Sequence, residues 1–160
     1  MRFAARISFP ALFFCATQAI AAGGGPVDIR PETPRDPVLQ GIQAAIDRED
    51  WPGARELARA AVEKKPGEAD YHNLYAYALR KGPSPSMDLV FRHYNEALRL
   101  DPRHRGATEY LGEAYLMTGN LEKAREQLKR LDDLCFFSCR EFTMLKAAIA
   151  DYEAKSAARR

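Results

Sequence analysis

The feature that most constrains the fold is a two-helix pattern that occurs twice in succession, over residues 69–104 and 105–134. Each segment has apolar residues at helical spacing, then a break that contains glycine, then a second stretch of apolar residues at helical spacing. Two short amphipathic helices joined by a turn are therefore predicted in each segment. A single helix pair cannot bury its apolar face, so such pairs are expected to stack into an array.

Small and helix-breaking residues support this interpretation. Ala76, Ala97, Gly112 and Ala124 would let the helices of a unit approach closely, and Pro102 cannot continue the helix that precedes it. In both units these residues stand at spacings that resemble the tetratricopeptide repeat. In the second unit the matching positions are Leu111, Gly112, Tyr115, Gly119, Asn120, Leu121, Ala124, Leu128 and Leu131. In the first unit they are Tyr75, Ala76, Leu79, Val90, Tyr94, Ala97, Asp101 and Pro102.

A looser copy of the same unit precedes these two. Ala54, Ala61 and Pro66 stand at family positions, although Gly41 and Ile42 depart from the pattern. After the last unit a further apolar stripe predicts a helix that covers the exposed end of the array, with residues Phe142, Leu145, Ala148, Ile149 and Tyr152. The resemblance implies an all-α, right-handed superhelical array. Its expected parts are repeats over about 36–68, 69–104 and 105–138, a capping helix over 139–155 and a polar tail over 156–160.

The N-terminal segment has the pattern of a secretory signal peptide over residues 1–21. Arg2 and Arg6 precede an apolar run of about 14 residues, and small residues place the cleavage site near Ala21 and Ala22. The run is short for a membrane-spanning helix, which needs roughly 20 residues; an uncleaved anchor is the alternative. Residues 22–35, rich in glycine and proline, are predicted to be a flexible linker. A periplasmic or secreted protein without stable membrane insertion is expected.

The charge balance argues against nucleic acid as a partner. The full chain has a formal net charge of +2, and removal of Arg2 and Arg6 would leave a mature chain close to neutral. Phosphate backbones attract strongly basic surfaces, which this composition does not predict.

Cleavage would also remove Cys15 and leave Cys135 and Cys139 in a compartment that permits disulfides. A bridge between them would pin the capping helix to the last repeat, and its short loop limits the stabilisation to about 2 kcal/mol. The alternative is a thiol-redox or copper-handling pair, for which Met144 is the nearest additional soft ligand. No cofactor is predicted.

Enzyme signatures are missing from the sequence, which has neither a phosphate-binding glycine loop nor a nucleophile elbow nor a zinc-protease motif. His72, His93 and His104 stand at unrelated helical positions and are interpreted as ordinary surface or partly buried side chains. A non-enzymatic protein is therefore expected.

The resemblance implies that the first helix of each unit lines a concave groove that binds a protein or peptide. The residues it places there are Gln43, Asp47, Asn73, Tyr77, Arg80, Glu109, Tyr110 and Glu113. A clamp for a peptide's terminal carboxylate is not expected, because Tyr110 and Glu113 stand where cations would be needed. Residues 82–86 lengthen one inter-helix loop, and Ser86 is predicted to cap the helix that begins near Met87.

Overall fold

The computed structural model describes residues 36–159. The predicted signal peptide and linker, residues 1–21 and 22–35, lie outside the described residues. The described chain forms seven helices and no strand. They are α1 (Pro37–Asp47), α2 (Trp51–Lys64), α3 (Ala69–Lys81), α4 (Met87–Leu100), α5 (Arg105–Met117), α6 (Leu121–Leu134) and α7 (Arg140–Ala157).

Side chains at the helix starts explain several of these boundaries. Asp36, Asp50 and Asn120 each accept a hydrogen bond from a backbone N–H in the first turn of α1, α2 and α6. Ser86 is the residue before α4, as predicted, but its side chain makes no capping bond, so the predicted role of its hydroxyl is wrong. The capping helix α7 extends two residues beyond its predicted end at residue 155.

The core runs through the array as three consecutive clusters of buried apolar side chains. The first joins α1, α2 and α3 around Ile42, Ala58 and Tyr71, and the second joins α3, α4 and α5 around Tyr94 and Leu111. The third, which includes Leu116, Ala124, Leu131, Leu145 and Ile149, joins α5 and α6 to α7. The capping helix therefore covers the apolar end of the last repeat, as an end unit of a stacked array must.

Helix α7 approaches α5 closely because Gly112 has no side chain. A Cβ at Gly112 would lie 2.5 Å from Cδ2 of Leu145, a side chain with no exposed surface. We call the contact of Gly112 with Leu145 the apolar joint. It fixes the cap by close packing of groups that lose no hydrogen bonds on leaving water.

None of the helices in residues 36–159 combines the length and the apolar character that a bilayer-crossing segment needs.

Candidate functional site

The first helices of the successive units lie side by side. Helix α3 contacts both α1 and α5, and α5 contacts α7. We call the surface that these four helices form together the first-helix face. The eight residues for which the family resemblance implies partner contacts lie on three of these helices, α1, α3 and α5.

A buried arginine organises the centre of this face. Arg80, at the end of α3, is only 7% exposed. Its Nε donates to the hydroxyl of Tyr94 on α4 at 3.2 Å, and its Nη2 lies 2.7 Å from Oε2 of Glu113 on α5. The guanidinium carbon also lies 5.4 Å and 5.5 Å from the ring centroids of Tyr77 and Tyr110. We call Tyr77, Arg80, Tyr94, Tyr110 and Glu113 the Arg80 cluster.

Within the Arg80 cluster the charge of the arginine is maintained despite its burial. Burial disfavours the charged form, but the Tyr94 oxygen and the Glu113 carboxylate outweigh it and raise the pKa of Arg80. Burial also raises the pKa of Tyr77, and it raises that of Tyr110 to about 12. Both tyrosines therefore stay neutral at physiological pH, with their rings 4.7 Å apart between centroids. The cluster is a fixed array of three tyrosine rings and one ion pair.

Two hydrogen-bond acceptors beside the Arg80 cluster lack a donor. Asn73 and Glu109 are 6% and 3% exposed, and neither Oδ1 of Asn73 nor Oε1 of Glu109 has a hydrogen-bond partner among the described residues. They occupy equivalent places, each the fifth residue of its helix, on α3 and α5. Burial raises the pKa of the Glu109 carboxyl to about 7, and the Glu113 and Glu141 carboxylates act in the same direction.

The first-helix face continues as an open groove of about 320 Å³ between α5 and α7. Arg80 and Glu113 lie at one side of it, and Ala148, Tyr152 and Lys155 of α7 lie at the other. Lys155 forms an ion pair with Asp151, which also lines this groove. Residues of three elements therefore line one continuous surface.

At the other end of the face, Gln43 and Asp47 lie exposed on α1, and the Gln43 amide donates to the Asp47 carboxylate at 2.8 Å. No described contact joins them to the Arg80 cluster. Trp51, at the start of α2, makes an edge-on contact with Tyr77, with ring centroids 6.1 Å apart. The eight residues predicted to face the groove thus fall into two groups, and only the six on α3 and α5 lie together.

Three of the eight residues predicted to face the groove have little exposed surface. Asn73, Arg80 and Glu109 are buried, whereas their neighbours Tyr77, Tyr110 and Glu113 are partly exposed. A charged residue can be buried here because its partners come from two other helices.

The two cysteines lie at the joint between α6 and α7, as predicted. Their sulfur atoms are at bonding distance and their Cα atoms are 5.8 Å apart. Between them Phe136 and Phe137 are 94% and 81% exposed. In the described part of the chain no group of three or more His, Cys, Asp and Glu side chains is arranged to hold a metal ion.

Sequence reasoning missed a pairing of two histidines. His72 of α3 and His93 of α4 stack, and their Nδ1 atoms lie 2.9 Å apart, while His72 Nε2 lies 3.0 Å from the carbonyl oxygen of Pro66. His104 caps α5 by accepting from the Ala107 N–H at 3.1 Å. The positions are therefore specific rather than unrelated. Equivalence between repeats was the available signal, because His72 occupies the place in α3 that the buried Thr108 occupies in α5.

Solved structures with the same fold include several that hold a partner. One is the type III secretion chaperone SycD of Yersinia enterocolitica in complex with a peptide of the translocator YopD, with 14% identity and a TM-score of 0.61 over 78% of this chain and 93% of that one. Another is the TPR2B domain of yeast Sti1 in its complex with pHsp70, with 20% identity and a TM-score of 0.63 over 72% and 94%. A tetratricopeptide-repeat protein of Thermus thermophilus matches with 18% identity and a TM-score of 0.62 over 78% and 68%.

The comparison with curated protein sequences yields no match. At these identities the solved structures show a common fold. The family itself is shown by sequence, because the tetratricopeptide-repeat family model matches residues 39–85 and 92–135, together more than half of the chain. The repeated helix pairs, the capping helix and this match lead to one conclusion: the chain belongs to the tetratricopeptide-repeat family.

Proposed function

We propose that this protein is an exported, non-enzymatic interaction module that binds a peptide segment of a protein partner on the first-helix face. The observation that carries the proposal is the Arg80 cluster. It holds two tyrosines and an ion pair in fixed positions on that face, at the edge of an open groove. Side chains that are already ordered lose little conformational entropy when a ligand binds.

The chemistry of the cluster suits a peptide. Tyrosine and arginine are the residue types that most often anchor protein interfaces, because each combines a large contact area with a polar group. The folds of SycD and the Sti1 domain, which hold a YopD peptide and pHsp70 in their solved complexes, support the same use of this architecture.

A pair of tyrosine variants on either side of the array tests the binding face. Tyr77 packs in the Arg80 cluster, whereas Tyr115 packs against Phe91 on the side of α4. Both are half-buried, so Tyr77→Ala and Tyr115→Ala remove the same group at comparable burial. Crosslinked envelope extracts captured with each variant should lose partners only for Tyr77→Ala. If both variants capture the same partners and their circular dichroism matches that of the wild type, the binding surface lies elsewhere.

Export and the cysteine bridge form the second part of the proposal. The signal-like segment at residues 1–21 and the neighbouring sulfur atoms of Cys135 and Cys139 support it. Mass spectrometry of the protein from its native host should find a mature N-terminus near Ala22 and a peptide linked through both cysteines. Free thiols in the purified mature protein would instead favour the thiol-redox or copper-handling alternative.

A further inference from the structure

We propose that the α5 side of the first-helix face, next to α7, binds a lysine or arginine side chain of the partner peptide. The inference rests on the proposed function and specifies the chemistry of its ligand. The carboxylates of Glu109, Glu113 and Glu141 would recognise the cation, and the amide oxygen of Asn73, on the neighbouring helix α3, is an additional acceptor.

The carboxylates at this place are not all paired with cations of the protein. Arg80 is neutralised by Glu113, and Lys155 by Asp151. Glu109 and Glu141 form no ion pair among the described residues. The two carboxyl groups lie near enough to one another that the charge of Glu141 raises the pKa of Glu109. Arg140, which is exposed at the start of α7, is a further cation near Glu109. When Glu109 is ionised, the two unpaired carboxylates outnumber this cation, so the site carries a surplus of negative charge.

Two buried acceptors at this place also lack hydrogen-bond donors. Oε1 of Glu109 and Oδ1 of Asn73 are buried acceptors without donors, and leaving such a group unsatisfied costs roughly 1–3 kcal/mol. Both are hydrogen-bond acceptors, so the group that completes them must donate. An ammonium has three donors and a guanidinium five, and neither has an acceptor. A cationic side chain fits both the missing donors and the surplus charge.

The same features disfavour an acidic ligand at this place. Arg80 Nη2 makes no hydrogen bond of good geometry, but it is buried and lies 2.7 Å from the Glu113 carboxylate, so a second carboxylate would have to compete with Glu113 for it. A peptide carboxylate would also meet Glu109 and Glu141. An acidic segment or a terminal carboxylate should be repelled where a lysine is attracted.

Glu113 is the carboxylate that a ligand in the groove can contact directly. Its side chain keeps 26% of its surface exposed and lines the groove between α5 and α7. It stands one helical turn beyond Glu109 on the same face of α5, since residues four apart in a helix are neighbours. A cation that enters the groove therefore reaches Glu113 first and Glu109 behind it.

Binding should depend on pH, with a sign that follows from Glu109. The groups that face it are Glu113 of its own helix, Glu141 and Arg140 of α7, and Arg80 of α3, with the Tyr77 and Tyr110 hydroxyls beside them. A bound cation favours the ionised carboxylate and lowers its pKa from about 7. Binding is then weaker at pH 6 than at pH 8.

A random dodecapeptide library displayed on phage, selected against the purified protein at low salt, provides the probes. Synthetic peptides from the selection are then titrated with their lysines or arginines intact or replaced by norleucine. We expect enrichment in lysine and arginine, and about a tenfold loss of affinity when the critical residue is replaced, which corresponds to one good charge-assisted contact.

Two glutamine variants locate the effect. Glu109→Gln should reduce the preference for the cation to within about twofold and remove the difference between pH 6 and pH 8. Glu126→Gln removes the same charge from an exposed position on α6 and should change neither. If both variants lose the preference for lysine or arginine, the preference depends on the net charge of the protein and not on Glu109, and the inference is overturned.

Two further outcomes separate this inference from the proposed function. Peptides whose binding depends on Tyr77 but shows no preference for lysine or arginine would overturn the inference and leave the function standing. A library that yields no peptide dependent on Tyr77 would overturn both.

Discussion

Helix α5 is held by two joints of opposite chemistry. Towards α3 it is joined through the Arg80 cluster, with an ion pair and the tilted rings of Tyr77 and Tyr110, and towards α7 through the apolar joint of Gly112 and Leu145. The apolar joint has no polar group to satisfy, whereas the polar one works only if every partner is in place. The apolar joint is therefore expected to contribute more to stability, and the Arg80 cluster to the fixed geometry of the proposed binding surface.

The largest effect is expected at the apolar joint. Leu145→Ala removes a fully buried side chain that fills the space over Gly112, and it should lower the free energy of unfolding by about 3 kcal/mol. Gly112→Ala alone forces the Leu145 methyl groups to move and should cost about 1 kcal/mol, since the overpacking is partly offset by the helix propensity of alanine. Urea denaturation followed by circular dichroism measures both.

The double variant Gly112→Ala/Leu145→Ala tests whether these two residues press against one another. With Leu145 shortened, the methyl group of Gly112→Ala has room, so it should be neutral or stabilising in that background. Additive losses in the double variant would mean that the two residues do not press on one another and that the apolar joint is misdescribed.

An intermediate effect is expected at the Arg80 cluster. Arg80→Met leaves the Tyr94 hydroxyl and the Glu113 carboxylate without their donor, and it should cost about 2–3 kcal/mol, at the low end for a buried pair because Glu113 can still reach water. Replacing the partner as well, in Arg80→Met/Glu113→Gln, should recover part of the loss. If the single and double variants are equally unstable in the same denaturation experiment, the ion pair contributes nothing beyond packing.

The smallest effect is expected from Glu109 and is confined to a range of pH. Its pKa in the folded protein is raised from 4.5 to about 7, so between these values the folded state binds more protons than the unfolded state. Its contribution to stability therefore falls as pH rises from about 4.5 to 7 and is constant above that range. Glu109→Gln, which resembles the protonated acid, should match the wild type at pH 4 and exceed it at pH 8 by roughly 1–2 kcal/mol, about half of what the full pKa shift would give, because the ionised carboxylate can gain some contact with water.

Chemical denaturation of both proteins at a series of pH values measures this difference and cancels the titration of all other groups. A difference that does not change between pH 4 and pH 8 would show that Glu109 ionises normally and that its environment is more hydrated than its burial indicates.

Most of the fold could be predicted from the sequence, because each helix is specified locally. Apolar spacing, Pro102 and the small residues at the contacts act within a few residues of themselves, and the helices begin and end close to where these signals place them. The two-residue extension of α7 concerns a helix end, where local signals are weakest.

The positions of the candidate site residues could be predicted from the sequence, but their burial could not. The sequence placed six of its residues on the right helices but did not indicate that Arg80 would be buried, because that depends on Tyr94 and Glu113 from other helices. A signal was present: Arg80 occupies the place in α3 that the apolar Leu116 occupies in α5. A charged residue at a position that is apolar in the next repeat marks a buried pair, and such comparisons between repeats can be made without a structure.

The stacked histidines have a consequence for where their protons reside. The Pro66 carbonyl can only accept, so His72 must carry a proton on Nε2, and in the neutral ring its Nδ1 is then an acceptor. His93 must therefore donate from Nδ1 and keep a lone pair on Nε2. The contact thus selects one tautomer for each ring out of four possible combinations, and leaves the Nε2 atom of His93 as the only basic ring nitrogen of the pair that is free to accept.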